Sequence, residues 1–151
     1  MNRHDDGDQQ DLVDFLNNKR ANTVLEVLDI VFVEASPERV VARMPIDTRH
    51  HQVIGYLHGG VSVVLAETVA SVACTLHIDT ERQEAFGLEI NANHVRPKRD
   101  GEVKATATPL HLGRTTHVWD VRITDEGDKL ICVSRCTVAV VNRTPGSKSF
   151  S

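Results

Sequence analysis

The chain has 151 residues, 40% of them hydrophobic and 25% charged, values near the globular average that exclude wholesale disorder, collagen and coiled coil. A formal net charge of −4 removes any global attraction to nucleic acid or anionic lipid. No stretch approaches ~18 uninterrupted apolar residues, and the first residues, MNRHDDGDQQ, lack the apolar run of an export signal, so a cytoplasmic protein with neither a membrane nor a nucleic-acid partner is expected.

In chain order, residues 1–8 are acidic and polar and 142–151 (NRTPGSKSFS) are rich in turn formers. Both are expected to be loose, disordered tails around a single domain at 9–141, which no repeat or Pro/Gly/Ser linker divides. Leu12, Val13, Phe15 and Leu16 fall at helical spacing and predict a short amphipathic helix over 9–18. LDIVFVEA, a turn at Ser36-Pro37-Glu38-Arg39, and VVARMPI read as a β-hairpin. A polar loop at 47–57 follows, in which His50-His51 reads as a solvated pair. Next comes GGVSVVLAETVASVACTLHI, a helix apolar on nearly every side and opened by two glycines. EAFGLEINANHVRP, GEVKATATPLHL, RTTHVWDVRITD and, after a turn at Asp125 to Asp128, KLICVSRCTVAVV are Val-, Ile- and Thr-rich strands whose short connections favour antiparallel neighbours. Cys74, Cys132 and Cys136 are odd in number, lack CxxC spacing and lie in apolar segments, so they read as reduced core residues. A helix apolar all round must be enclosed by protein, and one curved antiparallel sheet wrapped around a long central helix, an α+β fold, is the simplest enclosure.

The chemistry concentrates on that helix. Glu67 has Val63, Val64, Ala70 and Ser71 as its helical neighbours, with no Lys or Arg in pairing range along the helix. A carboxylate buried without a partner costs several kcal/mol, a large share of a domain stability of roughly 5–15 kcal/mol. Glu67 either escapes at the helix edge or pairs with a distant Arg, or it is a desolvated nucleophile or base with Ser71 one turn later to hold a hydrogen bond. His58-Gly59-Gly60 stands where loop becomes helix, so the amides of Gly59 and Gly60 are expected to be free first-turn donors facing open space. Such donors polarise a carbonyl as an oxyanion hole does, and the missing Cβ lets the oxygen approach. The bland alternative is a tight glycine turn; Glu67 two turns along, in an H-G-G-x6-E pattern, argues against it. HExxH, HxxxH and zinc-spaced Cys/His groups are missing, as is a GxSxG elbow, so neither a metal site nor a serine-triad hydrolase is expected.

The run QVIGYLHGGVSVVLAETVASVA, followed by GLEINANHVRP and HLGRTTHVW, resembles the hotdog-fold thioesterases of the phenylacetate-pathway type over roughly residues 20–140, closest to the 1,4-dihydroxy-2-naphthoyl-CoA hydrolases and the aryl proofreading thioesterases. The resemblance implies hydrolysis of an acyl-CoA thioester, with an aromatic acyl group first among the choices. Glu67 would attack the thioester or activate water, Gln52 and His58 would position carbonyl or water, and Ser71 matches the family's serine one turn after the glutamate. The amide of Gly59 or Gly60 would bind the oxyanion. The family builds its site across a homodimer interface and commonly pairs two dimers into a tetramer; CoA belongs to the substrate, and no separate cofactor is implied. For CoA phosphates the sequence gathers Arg96, Lys98 and Arg99 at one strand end and sets Arg114 after Leu112-Gly113; such residues are otherwise solvated surface basics. By resemblance, His94 and Arg96, two apart on one strand face, and Leu112, Gly113 and Arg114 flank the pantetheine and nucleotide. Three other readings stay in view. A proofreading thioesterase would add an acyl carrier protein as partner, and a non-catalytic acyl-CoA sensor would lack the Gln52, His58, Glu67 and Ser71 set. A hotdog dehydratase would pair its carboxylate with a histidine in an H-F-P-G type loop, where this chain has HGG.

Overall fold

The computed structural model describes residues 3–144 and Gly146. The elements are α1 (Arg3–Asn18), α2 (Val24–Val27), β1 (Val31–Ala35), β2 (Val40–Pro45), a 3₁₀ turn (Thr48–His50), α3 (Gly59–Thr75), β3 (Gln83–His94), β4 (Glu102–Leu112), β5 (Thr116–Asp125) and β6 (Leu130–Asn142). The first helix starts before residue 9, so residues 3–8 are helical where a loose tail was expected. Beyond 142–144 and Gly146, the expected C-terminal tail lies outside the described residues, as do residues 1–2.

All six strands form one antiparallel sheet in the order β1-β2-β4-β5-β6-β3, with β1 and β3 at its edges. Side chains alternate across a strand, and one face supplies the core: Val40, Ala42 and Met44 of β2, Val103, Ala105 and Ala107 of β4, Trp119, Val121 and Ile123 of β5, and Cys136 and Val138 of β6 are all completely buried. Across this face lies α3, giving the α+β hotdog arrangement of a sheet curved about a central helix. Ser62, Leu65, Ala66, Val69, Ala70, Ala73 and Cys74 form its buried stripe at helical spacing.

The enclosure differs from expectation in one respect. Val61, Val63, Val64, Thr68, Ser71 and Val72, on the other side of α3, are only half-buried, so the chain's own sheet covers one face of a largely apolar helix. On β3, bonded to β6 along one side, Phe86 and Leu88 are 55% and 66% exposed, and Leu88 is the unpaired residue of a bulge between Gly87 and Glu89. Among the described residues, no helix is long and apolar enough to cross a membrane.

Candidate active site

The segment leading into α3 is folded tightly. Asp47 caps the 3₁₀ turn, and His50 is completely buried, its Nδ1 accepting from the Asp47 amide at 3.1 Å while its Nε2–H donates to the Leu28 carbonyl at 2.8 Å. His51 Nε2 pairs with the Arg99 carbonyl at 2.7 Å. The two histidines therefore staple the loop to the core and to the 95–101 segment, contrary to the solvated pair expected, because backbone acceptors far along the chain meet them. Gln52 closes the next turn: its amide donates to the Tyr56 carbonyl at 2.8 Å and its Oε1 accepts from the Ile54 amide. Gly55, at φ +83°, supplies the left-handed residue this turn needs.

His58 is the N-cap of α3. Its extended backbone (φ −67°, ψ 129°) aims the ring back along the helix, and Nδ1 accepts from the Gly60 amide at 2.9 Å. The expectation of two free glycine donors is thereby corrected: the Gly60 amide is taken by the cap. Gly59, the first helical residue, has no intrahelical acceptor for its N–H. The residue is also in close contact with the His94 side chain, since a Cβ at Gly59 would come within 2.8 Å of His94 Nε2 and push the imidazole aside. Gln52, Gly59, Ser62, His94, Arg96 and Lys98 line one cavity of about 390 Å³.

Glu67 and Ser71 line a different cavity of about 410 Å³, walled by Leu16, Lys19, Thr23 and Leu25 from the α1–α2 region, Phe32 of β1, and Val64, Thr68 and Val72 of α3. Glu67 is half-buried on the face of α3 that the sheet leaves open. Its carboxylate leans on β3, where Oε1 occupies the space a Cβ at Gly87 would take. No hydrogen bond joins Glu67 to Ser71 among the described residues. Gly87 escaped the sequence reading, although an isolated glycine inside a strand pattern is a signal of a bulge or a close approach. The α1–α2 wall left no such signal, because no motif or spacing sets Leu16, Lys19, Thr23 and Leu25 apart in the sequence.

Electrostatics separates the groups further. Cys136 is pushed up to about 12 by burial and then by the negative charges of Glu67 and Glu89, and Cys74 to about 11 by burial alone. Neither thiol is a nucleophile near neutrality, in keeping with buried, unpaired core cysteines. Of the basic residues, Lys98 is bound to Glu126 at 2.5 Å, and this hydrogen bond is the main cause that holds the Glu126 carboxyl down at about 2. Arg99 stacks over Tyr56, 4.1 Å from the ring centroid. Arg96 lies past the end of β3, not within it, and donates to the Leu130 carbonyl at 2.7 Å.

The expected site residues thus fall into three groups within one chain. Gln52, His58, Gly59, His94 and Arg96 surround the start of α3, while Glu67 and Ser71 face the other cavity. Leu112 ends β4, and Gly113 and Arg114 form the turn to β5, next to Thr116, which pairs with Ala139 opposite Phe86. His94 pairs with Cys132 at the other end of the same strands, so Arg114 and Arg96 stand at opposite ends of the sheet.

The family described as the thioesterase superfamily matches residues 54–132. The chain is similar to thioesterase PA1618 of Pseudomonas aeruginosa, seen as a crystal structure of a glutamine-to-alanine mutant, with a TM-score of 0.85 and 46% identity over 87% of this chain and 94% of that one. It is 48% identical to a 1,4-dihydroxy-2-naphthoyl-CoA hydrolase of Listeria monocytogenes across 76% of this chain and 93% of the hydrolase. SAV0944 of Staphylococcus aureus, a thioesterase, matches at 41% identity and TM-scores of 0.78 and 0.76 in two structures, which cover 80% and 78% of this chain and 99% and 97% of theirs. One of the two carries alanine for a glutamate and the other alanine for a glutamine, at the same separation as Glu67 and Gln52 here.

Proposed function

The chain belongs to the hotdog thioesterase superfamily and hydrolyses thioesters, and from that premise we propose that it cleaves an aromatic acyl-CoA with Glu67 as the catalytic carboxylate. The observation that carries this reading is the seat of Glu67: a carboxylate in the wall of a largely apolar cavity, steadied against Gly87. Similarity to the naphthoyl-CoA hydrolase supports the aromatic acyl group.

The two half-sites are joined by dimerisation in this reading. The half-open face of α3 and the exposed Phe86 and Leu88 on edge strand β3 are what a second copy would cover. Glu67 of one protomer then faces Gly59, Gln52 and His58 of its partner. The thioester oxygen sits at the Gly59 N–H, the donor that His58 leaves free by capping Gly60. Charge building on that oxygen is met by the amide and by the positive end of α3. Gln52, whose side-chain NH₂ has no partner among the described residues, orients the carbonyl or the water. Whether Glu67 attacks the carbonyl carbon or removes a proton from water, the C–S bond breaks, water supplies the acid's oxygen, and CoA leaves as a thiol after taking up a proton. Arg96 and Arg114, neither in an ion pair among the described residues, hold the CoA phosphates once the copies bring the two sheet ends together; two dimers pair into a tetramer. CoA is part of the substrate, so the scheme needs no cofactor.

The test is thiol release from aromatic and aliphatic acyl-CoAs by wild type and Glu67→Gln side by side. The variant is expected to lose at least about a hundredfold in kcat, roughly 2.7 kcal/mol of barrier, with its fold intact. Retention of more than a tenth of the activity would remove Glu67 from the chemistry. Release only from an acyl carrier protein would move the substrate to the proofreading type.

A further inference from the structure

Lys19 is the one cation among the residues that line the Glu67 cavity. It follows directly on the last residue of α1, where the carbonyl end of a helix favours positive charge, and its amide is tied to the Leu16 carbonyl at 3.2 Å. The ammonium lies 5.0 Å from the centroid of the Phe15 ring. No carboxylate lies within ion-pair distance of it among the described residues. The acids nearby along the chain have other partners: Asp29 binds Arg20 at 2.8 Å, Glu26 takes the Asn22 amide at 2.7 Å, and Asp14 takes the Gln10 side chain at 2.8 Å. The rest of the wall is Glu67 and Ser71 with Leu16, Leu25, Phe32, Val64 and Val72, the Thr23 hydroxyl being spent on the Arg20 carbonyl and the Leu25 amide and the Thr68 hydroxyl on the Val64 carbonyl.

We infer that Lys19 is a specificity-determining residue that selects acyl groups bearing an acidic oxygen, a phenolic hydroxyl or a carboxylate, over unsubstituted aryl groups. The inference rests on the reading that the Glu67 cavity receives the acyl chain. An apolar wall holds the ring of either kind of acyl group equally well. Only the oxygen-bearing one gains a charge-assisted hydrogen bond from the ammonium at the rim, and discrimination of this kind acts through kcat/KM. A carrier lysine that instead tuned Glu67 would alter turnover of every thioester alike.

The experiment measures kcat/KM for benzoyl-CoA, 4-hydroxybenzoyl-CoA and 4-carboxybenzoyl-CoA with wild type, Lys19→Met and Lys19→Arg. Methionine keeps the stem over Phe15 and removes the charge. The preference of an oxygenated ring over benzoyl is expected to fall roughly fivefold in Lys19→Met, the scale of an exposed ion pair, and to be kept in Lys19→Arg. An unchanged preference, or an equal loss on all three substrates, overturns the role of Lys19 and leaves the Glu67 reading standing. No release by wild type from any of the three, or from the wider panel, overturns both.

Discussion

Gly87 does the least expected work at the scale of single residues. It interrupts a strand whose neighbours all carry side chains, and the room it leaves is filled by the Glu67 carboxylate. Adding one methyl group there removes the carboxylate's seat without touching the helix that carries it. Gly87→Ala is therefore expected to lower kcat at least tenfold on the best acyl-CoA, about 1.4 kcal/mol, while thermal unfolding followed by circular dichroism shifts by only a few degrees. An unchanged kcat would mean that Glu67 reaches its working position from elsewhere. The same scale separates two adjacent glycines: His58 Nδ1 occupies the Gly60 amide at 2.9 Å and leaves the donor role to Gly59.

Where elements meet, the far end of α3 packs on β5 through a cluster of rings that the proposed reaction does not use. His77 just beyond α3 stacks edge-on to His117 at 5.9 Å and tilts over Trp119 at 5.5 Å, its Nδ1–H donating to the Ala73 carbonyl at 2.9 Å. Trp119 Nε1 and His117 Nδ1 are buried without a hydrogen-bond partner among the described residues. Burial first, then the positive charge available to His77 and His111, pushes His117 below the usual 6.5, and a backbone hydrogen bond with Gly113 opposes this. The folded chain thus binds the proton less readily than the unfolded chain, so stability is present above pH 6.5 and is lost as pH falls through that value. The melting temperature is expected to drop between pH 7 and 5.5, and to drop less in His117→Phe. Equal slopes in the two proteins would assign the pH dependence to other groups.

For the whole molecule, the proposed joining of two half-sites by dimerisation would make activity a property of the pair. Glu67→Gln and Gln52→Ala are each expected to be nearly inactive as pure homodimers. When the two are unfolded and refolded together, random pairing makes half the dimers mixed, each with one intact site of two, and about a quarter of wild-type activity is expected to return. Absence of recovery, with mixed dimers demonstrated by differential tags, would place the complete site within one chain.

The alternation of Val, Ile and Thr and the largely apolar run at 59–78 were enough to write down the antiparallel sheet and its central helix, because periodicity is a local property. The His58-Gly59-Gly60 start and a lone carboxylate at Glu67 likewise stood out as candidates without coordinates. Other features needed strand order and register, which bring together groups far apart in the chain. Lys98 reads as a phosphate ligand until Glu126, 28 residues on, neutralises it. His50 reads as solvated until the Leu28 carbonyl, 22 residues back, buries it. Gly87 of β3 meets the Glu67 carboxylate from 20 residues on, and Lys19, just past α1, meets its cavity from 48 residues back. A side chain's partners are decided by which surfaces the folded sheet lays side by side, and no spacing along the chain encodes that directly.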